Sequence, residues 1–381
     1  MTRQNLALVD VLAQIKDFRQ SSGKRYGLVA ILSLAVAAML CGYKSYSAIA
    51  QWGNNYGQKL AQALGFKDGK TPCAATFYNV FCRLDKQDVE QKLGAWAESL
   101  QRQSQADDYC EATSVDGKSL RGSRKQGATA AHLLSAVGHR LGLTLFQVAV
   151  EEKTNEIGAV GELLAGLILK GKVITVDALL TQQEVAQSIL DRDGDYVMMV
   201  KANQPGLLSQ VEGAIEGVAF YREQPAVAET LDYGHGRIEE RKIIATSVLA
   251  DQGVWPGLKQ AFKIERRVIQ QKSGKQSDEE VFGITSLTRE RAGADVLLQI
   301  VREHWTIENK SHWVRDVIFG EDHSQVRRGS LPQVMAALRN TAIGLMRADG
   351  ENSVASACRR FAAQPLLALA LIGINTTSGE N

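Results

Sequence analysis

Three acidic residues in this 381-residue chain stand where carboxylates can do chemistry. Asp116 closes the run TSVD and is followed at once by Gly117, so its carboxylate is expected at a strand exit, open at the edge of a sheet. Asp177 repeats the pattern at the end of KVITVD, with a helix expected shortly after it and Thr181 as the N-cap. Glu308 lies in REHWTIENKSHWVRDVIF, where Trp305, Glu308, His312, Arg315 and Phe319 recur at the spacing of one α-helical face. A helix laid on the sheet with Glu308 toward the strand ends would bring a third carboxylate to the two aspartates. Acids gathered without bases repel one another, and a divalent cation resolves that. An all-oxygen donor set favours Mg2+, with Mn2+ as its substitute. Two such ions can activate an attacking water or 3′-hydroxyl and stabilise the leaving oxygen. Each acid alone also fits a turn, a strand-end cap or a surface helix; only the set points to a metal.

Cations cluster near these acids. Lys118, Arg121, Arg124 and Lys125 fall in GKSLRGSRKQ, directly after Asp116 and with no acid among them, which suits contact with phosphate oxygens. Arg315 lies two expected helical turns beyond Glu308. His235 and Arg237 sit in GHGRIEERK at 234–242, a pattern for a hairpin turn or a phosphate contact. Asp316 falls off the Glu308 face and reads as structural, while Glu321 and Asp322 are expected beyond the helix.

The elements that must position these residues follow from periodicity. Helical patterns fill the first hundred residues, at 5–20, 27–42, 44–66, from Thr76, and at 87–103. Strands are expected at 112–116, 132–138 and 143–150, then a helix over 156–169, the strand ending at Asp177, a helix over 182–191 and the strand DYVMMV. That alternation predicts an α/β fold around a sheet of mixed direction. A helix over 206–219 and the strand-like pieces RKIIATSV, KQAFKIERRVIQ and EEVFGITSL follow, with helical pattern again at 292–319 and 331–347. The expected organisation is therefore an all-α N-terminal domain over 1–108, a catalytic domain over 109–347 interrupted by a β-rich region at about 206–290, and a helical tail over 348–381.

Composition narrows the class. With 45% hydrophobic and 23% charged residues, the chain can build a large core, which excludes wholesale disorder. Lys and Arg total 44 against 42 for Asp and Glu, so any nucleic-acid surface must come from local patches rather than net charge. Five dispersed cysteines without a CxxC pair argue against a disulfide framework or zinc site and fit a reducing cytoplasm. The uncharged run GLVAILSLAVAAMLCG is shorter than the roughly 18–20 residues that span a bilayer, so a buried helix is expected and no membrane. No Gly-rich nucleotide loop and no Ser or Cys nucleophile motif occurs.

In order, the segments DFRQSSGKRYGLVAILSLAVAAMLCGYKSYSAIAQWG, TFYNVFCRLD, VDGKSLRGS, VDALLTQ, KANQP, GHGRIEER and HWTIENKSHWVRDVIFGEDHS resemble the bacterial insertion-sequence transposases of the IS-As-one family, close to the H-repeat-associated proteins. These lie within the IS-four superfamily of DDE transposases. The resemblance is nearly full length and rests on the succession of motifs. It implies a ribonuclease-H-like catalytic domain with Asp116, Asp177 and Glu308 as metal-binding, catalytic acids, and 206–290 as an insertion. It further implies a DNA endonuclease and strand transferase acting on the terminal inverted repeats and target of an insertion sequence, as a homo-oligomer (a dimer) on double-stranded DNA. In the superfamily's Tyr-Arg-Glu-Lys signature, Val301 stands for Tyr, His304 for Arg and Arg315 for Lys, so His304 and Arg315 are expected to face DNA. Leu180, Ser311, Arg315 and Gln333 depart from the closer family's pattern, Ser311 and Arg315 standing for two apolar residues of the helix. A decayed or repurposed DNA-binding relative, and a nuclease of the same fold that cuts without joining, are the alternatives.

Overall fold

A computed structural model describes residues 7–22, 24–103, 111–123, 130–150, 156–217, 223–234, 236–305 and 307–374. In chain order come helices α1 (Leu8–Leu12), α2 (Leu28–Leu40), α3 (Tyr46–Asn55), α4 (Gly57–Ala63), α5 (Ala74–Phe81) and α6 (Lys86–Gln103). Strands β1 (Ala112–Leu120), β2 (Ala131–Gly138) and β3 (Thr144–Val150) follow, then α7 (Glu156–Ala165), β4 (Val173–Val176), α8 (Gln183–Leu190), β5 (Asp195–Val200) and α9 (Pro205–Glu216). Four strands, β6 (Ala226–Gly234), β7 (Arg237–Thr246), β8 (Gln260–Gln270) and β9 (Gln276–Thr285), precede α10 (Ala294–His304). The chain ends in α11 (Leu331–Ala348), α12 (Val354–Ala363) and α13 (Pro365–Leu371).

These elements form two compact units that cut across the expected sequence-order domains. One draws on residues 1–107, 117–153 and 307–381, the other on 108–116 and 154–306. Strand β1 passes from one to the other between Asp116 and Gly117. The helical N-terminal segment and the C-terminal tail thus share a unit instead of standing apart.

The first unit is built around α2. Its thirteen residues carry no charge, and nearly all are buried, as an all-round apolar helix inside a protein must be. It packs on α1, α3, α11, α12 and α13. Among the described residues no helix is long and apolar enough to cross a membrane. The helix expected over 5–20 stops after Leu12, and the backbone beyond it bonds to side chains near and distant in sequence. Asp17 accepts from the Arg19 backbone N–H and guanidinium, and Asp88 accepts from the Lys16 N–H at 2.7 Å. Strands β2 and β3 pair antiparallel from His132 opposite Val150 to Val137 opposite Thr144. Helices α6 and α11 pack on β3.

The second unit holds a mixed sheet in the order β1-β4-β5-β9-β8-β7-β6. β1, β4 and β5 run parallel, and β9 joins β5 antiparallel, as do the remaining pairs. The expected β-rich region therefore does not form a separate body: its strands extend the same sheet from β5. Val173, Val197, Met199, Phe262 and Ile264 bury one face of this sheet under Leu297, Leu298 and Val301 of α10.

Candidate active site

Asp116 and Asp177 occupy equivalent positions on neighbouring parallel strands. The β1–β4 register ends with Val115 opposite Val176, and each aspartate is the next residue. Adjacent strands lie about 4.8 Å apart, so the two residues stand side by side where the parallel β1–β4 ladder ends. β4 stops there, but β1 runs on through Gly117 to Leu120, so the exit expected at Asp116 does not form. This is the carboxyl end of β4 and of the parallel ladder, the side on which open α/β sheets bind ligands. Both residues are half-buried. Asp177 Oδ1 accepts the Leu180 N–H at 3.1 Å, which fixes the carboxylate in a local turn. Burial, reinforced by the charge of Glu156, raises the Asp177 pKa above the ordinary carboxylate value, with the Leu180 N–H and Lys201 opposing. A cation beside it would reverse that penalty, and an all-oxygen pair of this kind fits a hard divalent ion. Among the described residues no group of three or more His, Cys, Asp or Glu side chains stands ready as a metal cage.

Thr181 does not cap α8 as expected. Its hydroxyl is buried and donates to the carbonyls of Asp177 and Met199, stitching the exit of β4 to β5. Gln182 is the helix's N-cap residue, without a side-chain capping bond; its amide donates instead to the Leu179 carbonyl.

Ser114 and Thr175 lie two residues before the aspartates, and therefore on the same face of their strands. Thr175 Oγ1 donates to Ser114 Oγ at 3.2 Å and shares a 2.7 Å hydrogen bond with His304 Nδ1. Ser114 Oγ also donates to the His304 carbonyl. His304 is buried and pins the last turn of α10 beneath the strand ends, so the structure corrects its expected role as a DNA contact. Nothing in local sequence distinguishes such an anchor from an exposed histidine; only the strand register brings its partners together.

Glu308 lies in the other unit and is exposed. The helix expected over 292–319 is not continuous. α10 ends at His304, and two π-helical turns, Glu308–His312 and Val314–Ile318, follow Ile307. The Phe319 N–H reaches the Val314 carbonyl at 3.2 Å, an i→i−5 bond. Wider turns of this kind are rare and frequently mark functional sites. They also overturn the expected shared face. Glu308, Trp313 and Val317 look outward, while Arg315 and Phe319 point into the core.

The buried side of this stretch is held by charge. Arg315, wholly buried, donates from Nε to Glu321 at 2.7 Å, and Arg339 of α11 donates to the other Glu321 oxygen at 2.9 Å. Burial alone would raise the Glu321 carboxyl, but Arg315 and Arg339 together hold it below the ordinary range. Asp316 accepts Lys118 Nζ at 2.6 Å, with Lys118 itself buried. Lys310 Nζ donates to the His139 carbonyl at 3.1 Å, and its own carbonyl accepts from Arg347. Burial first, then Arg315 and Lys118, press the His312 pKa down to about 3, leaving a neutral imidazole.

Of the cations expected at DNA, Arg315 is therefore closed off in the core and Lys118 is engaged in an ion pair. Both expectations are corrected, because each side chain is buried against a carboxylate rather than offered to phosphate. Arg121 remains the accessible one, 81% exposed and only loosely facing Asp322 at 3.8 Å. Arg237 is half-exposed at the tight β6–β7 hairpin and pairs with Glu239. Arg124, Lys125 and His235 lie outside the described residues. The structural reading of Asp316 agrees with its ion pair, whereas the burial of Glu321 has no signal in its neighbours in sequence.

Comparison with known proteins places these features in a family. A model described as "Transposase DDE domain" matches residues 111–345, and one described as "DDE_Tnp_1-associated" matches residues 9–97. The Escherichia coli O157:H7 protein "Putative transposase YncI" is 30% identical over 90% of this chain and 87% of its own. "H repeat-associated putative transposase YhhI" of Escherichia coli strain K12 is 29% identical over 90% of each chain. The cryo-EM structure of a piggyBac transposase synaptic complex with hairpin DNA covers 96% of this chain and 77% of its own at 12% identity; its TM-score of 0.41 is too loose to fix the fold.

Proposed function

The chain belongs to the transposase DDE domain family, and from that premise we propose that it is a divalent-metal-dependent enzyme that cuts DNA at the ends of an insertion sequence and joins the freed 3′ end to a target. The observation that carries this reading is the pairing of Asp116 and Asp177 where the parallel β1–β4 ladder ends, one residue beyond Val115 and Val176. The parallel run β1–β4–β5 and the antiparallel β2–β3 pair support a ribonuclease-H-like catalytic fold.

Asp116, Asp177 and Glu308 would hold Mg2+ or Mn2+, two ions in the full site. A bound divalent cation supplies Lewis-acid activation of the attacking hydroxyl and neutralises charge on the phosphate. The protein's part is placement. Parallel β1 and β4 set the spacing of the two aspartates, and the Leu180 N–H orients Asp177. Thr175, Ser114 and His304 brace the strands from below. Exposed Arg121 and Arg237 are the remaining described candidates for backbone contact to double-stranded DNA. A homodimer on paired terminal repeats completes the proposal.

The test is end-labelled terminal-repeat duplex mixed with protein and Mg2+ or Mn2+. Metal-dependent nicking at the element end and joined products are expected. Asp116→Ala should abolish nicking while DNA retention persists, because phosphate contacts dominate affinity. Absence of end-specific nicking by wild type, or nicking by Asp116→Ala, would overturn the assignment.

A further inference from the structure

We infer that Arg315 is a positioning residue: with Glu321 and Arg339 it forms a buried bridge that fixes the π-helical stretch bearing Glu308, and it does not touch DNA. The inference rests on the reading of Glu308 as a metal-binding acid. The geometry is one carboxylate shared between two guanidiniums, all three residues at most 2% exposed. Arg315 belongs to the second π-helical turn, Glu321 follows the left-handed Gly320, and Arg339 comes from the middle of α11. The bridge therefore ties three separate pieces of backbone together. Arg339 also donates to the Lys44 carbonyl at 3.3 Å, which anchors the bridge beside α3.

Two further ties act on the same stretch, at Lys310 and at Asp316, both on its inward side. Glu308 stands on the outward side with no described clamp of its own, so its placement depends on how rigidly the backbone beneath it is held. A buried charge network satisfies this need at high cost if one partner is lost, because the others then remain desolvated without compensation. A phosphate contact would instead leave the guanidinium open to solvent. Arg315 gives Glu321 its Nε alone, and Lys, a point charge on a flexible stem, would not hold the same placement.

The experiment compares full-length wild type with Arg315→Lys and with the triple variant Arg315→Met, Glu321→Leu, Arg339→Met, an apolar replacement of the kind that usually preserves folding. Amide hydrogen exchange reads the backbone, electron paramagnetic resonance of free Mn2+ reads metal binding, and terminal-repeat retention against salt reads phosphate contacts. Exchange should accelerate over residues 307–319 and not across the chain. Mn2+ affinity should fall by about tenfold or more, the range for groups that orient metal ligands. The salt slope of DNA retention should stay unchanged in both variants. Unaltered exchange over 307–319 would overturn the inference, as would a salt slope lower by about one for the triple variant, the signature of a lost phosphate contact. Should wild type bind no Mn2+, the metal-site reading fails, while the exchange pattern and the salt slope still decide whether Arg315 positions or contacts. If the triple variant does not fold, Arg315→Lys carries the same exchange comparison.

Discussion

Half-buried Asp177 and buried Glu90 make opposite statements about what the chain keeps for function and what for stability. Asp177 has its ionised form disfavoured by burial and by Glu156, so its folded pKa lies above the unfolded one. Stability linked to such a group is full at low pH and is lost as pH rises through the folded pKa, leaving a penalty at neutral pH. Asp177→Asn keeps an oxygen for the Leu180 N–H and removes the charge. We expect it to melt at a higher temperature than wild type at pH 7 and to lose nicking altogether, both readable on one preparation by calorimetry and the cleavage assay. Glu90 is the purely structural counterpart. It is buried against Gln147 at 2.5 Å, and burial pushes its pKa up to about 8, with Gln147, Gln333 and Arg315 opposing. Its contribution therefore falls as pH climbs toward 8, whereas His312, neutral when folded, costs stability only as pH falls below 6.5. Between pH 6.5 and 8 the Glu90 slope stands alone of the two and amounts to about 2 kcal/mol. Glu90→Gln should flatten that limb; urea midpoints at the two pH values that still diverge as in wild type would disprove it. Asp177 was legible in sequence because apolar strand, acid and turn are neighbours in the chain, whereas the strand exit expected at Asp116 does not form: β1 continues through Gly117 to Leu120. The adjacency of the two aspartates was not legible, since it depends on the Val115–Val176 register between segments sixty residues apart.

At the scale of elements, close approach decides what a glycine means. Gly94 lies inside α6, where alanine would ordinarily stabilise by about 1 kcal/mol. A β-carbon there would fall on the backbone carbonyl oxygen of Leu145 in β3, far inside van der Waals contact. The helix would have to lift from the strand, and overpacking of this kind costs about 1–3 kcal/mol. Gly94→Ala should therefore lower the urea midpoint, and a midpoint at or above wild type would mean that α6 is free to shift. The same contrast between local rule and packing explains where sequence reading of the elements stopped. Most helices and strands were legible because their apolar period is local: β4, β5, α8 and the buried α2 appear close to the expected bounds. The stretch after α10 was misread because i→i−5 bonds rotate each residue away from its α-helical position. Arg315 was then assigned to the Glu308 face, although it turns inward to Glu321. No sequence period predicts that, since Glu321 and Arg339 enter from elements beyond the turn.

The whole chain does not divide where its composition does. A helical first hundred residues followed by α/β alternation suggested an independent N-terminal domain, and a separate family model does match residues 9–97. The fold couples that segment to distant ones. α2 buries Ile31, Leu32, Leu34 and Leu40 completely, and it meets α11, α12 and α13 from the other end of the chain. Helix α6 likewise packs on β3 and α11. Residues 1–108 alone would expose the surfaces that these partners cover, with nothing to replace the lost burial at about 25 cal/mol per Å2. An expressed 1–108 fragment is therefore expected to be aggregated or expanded, with fast amide exchange in 28–40. Supplying the C-terminal helices should slow it: a fusion that appends residues 307–374 to the fragment restores α11 to α13, though not β2 and β3. A monodisperse 1–108 fragment with native-like protection in α2 would show that the segment is autonomous. DNA binding should accordingly be assayed with the full chain, where the burial of α2 and the Arg315–Glu321–Arg339 bridge depend on the same helix, α11.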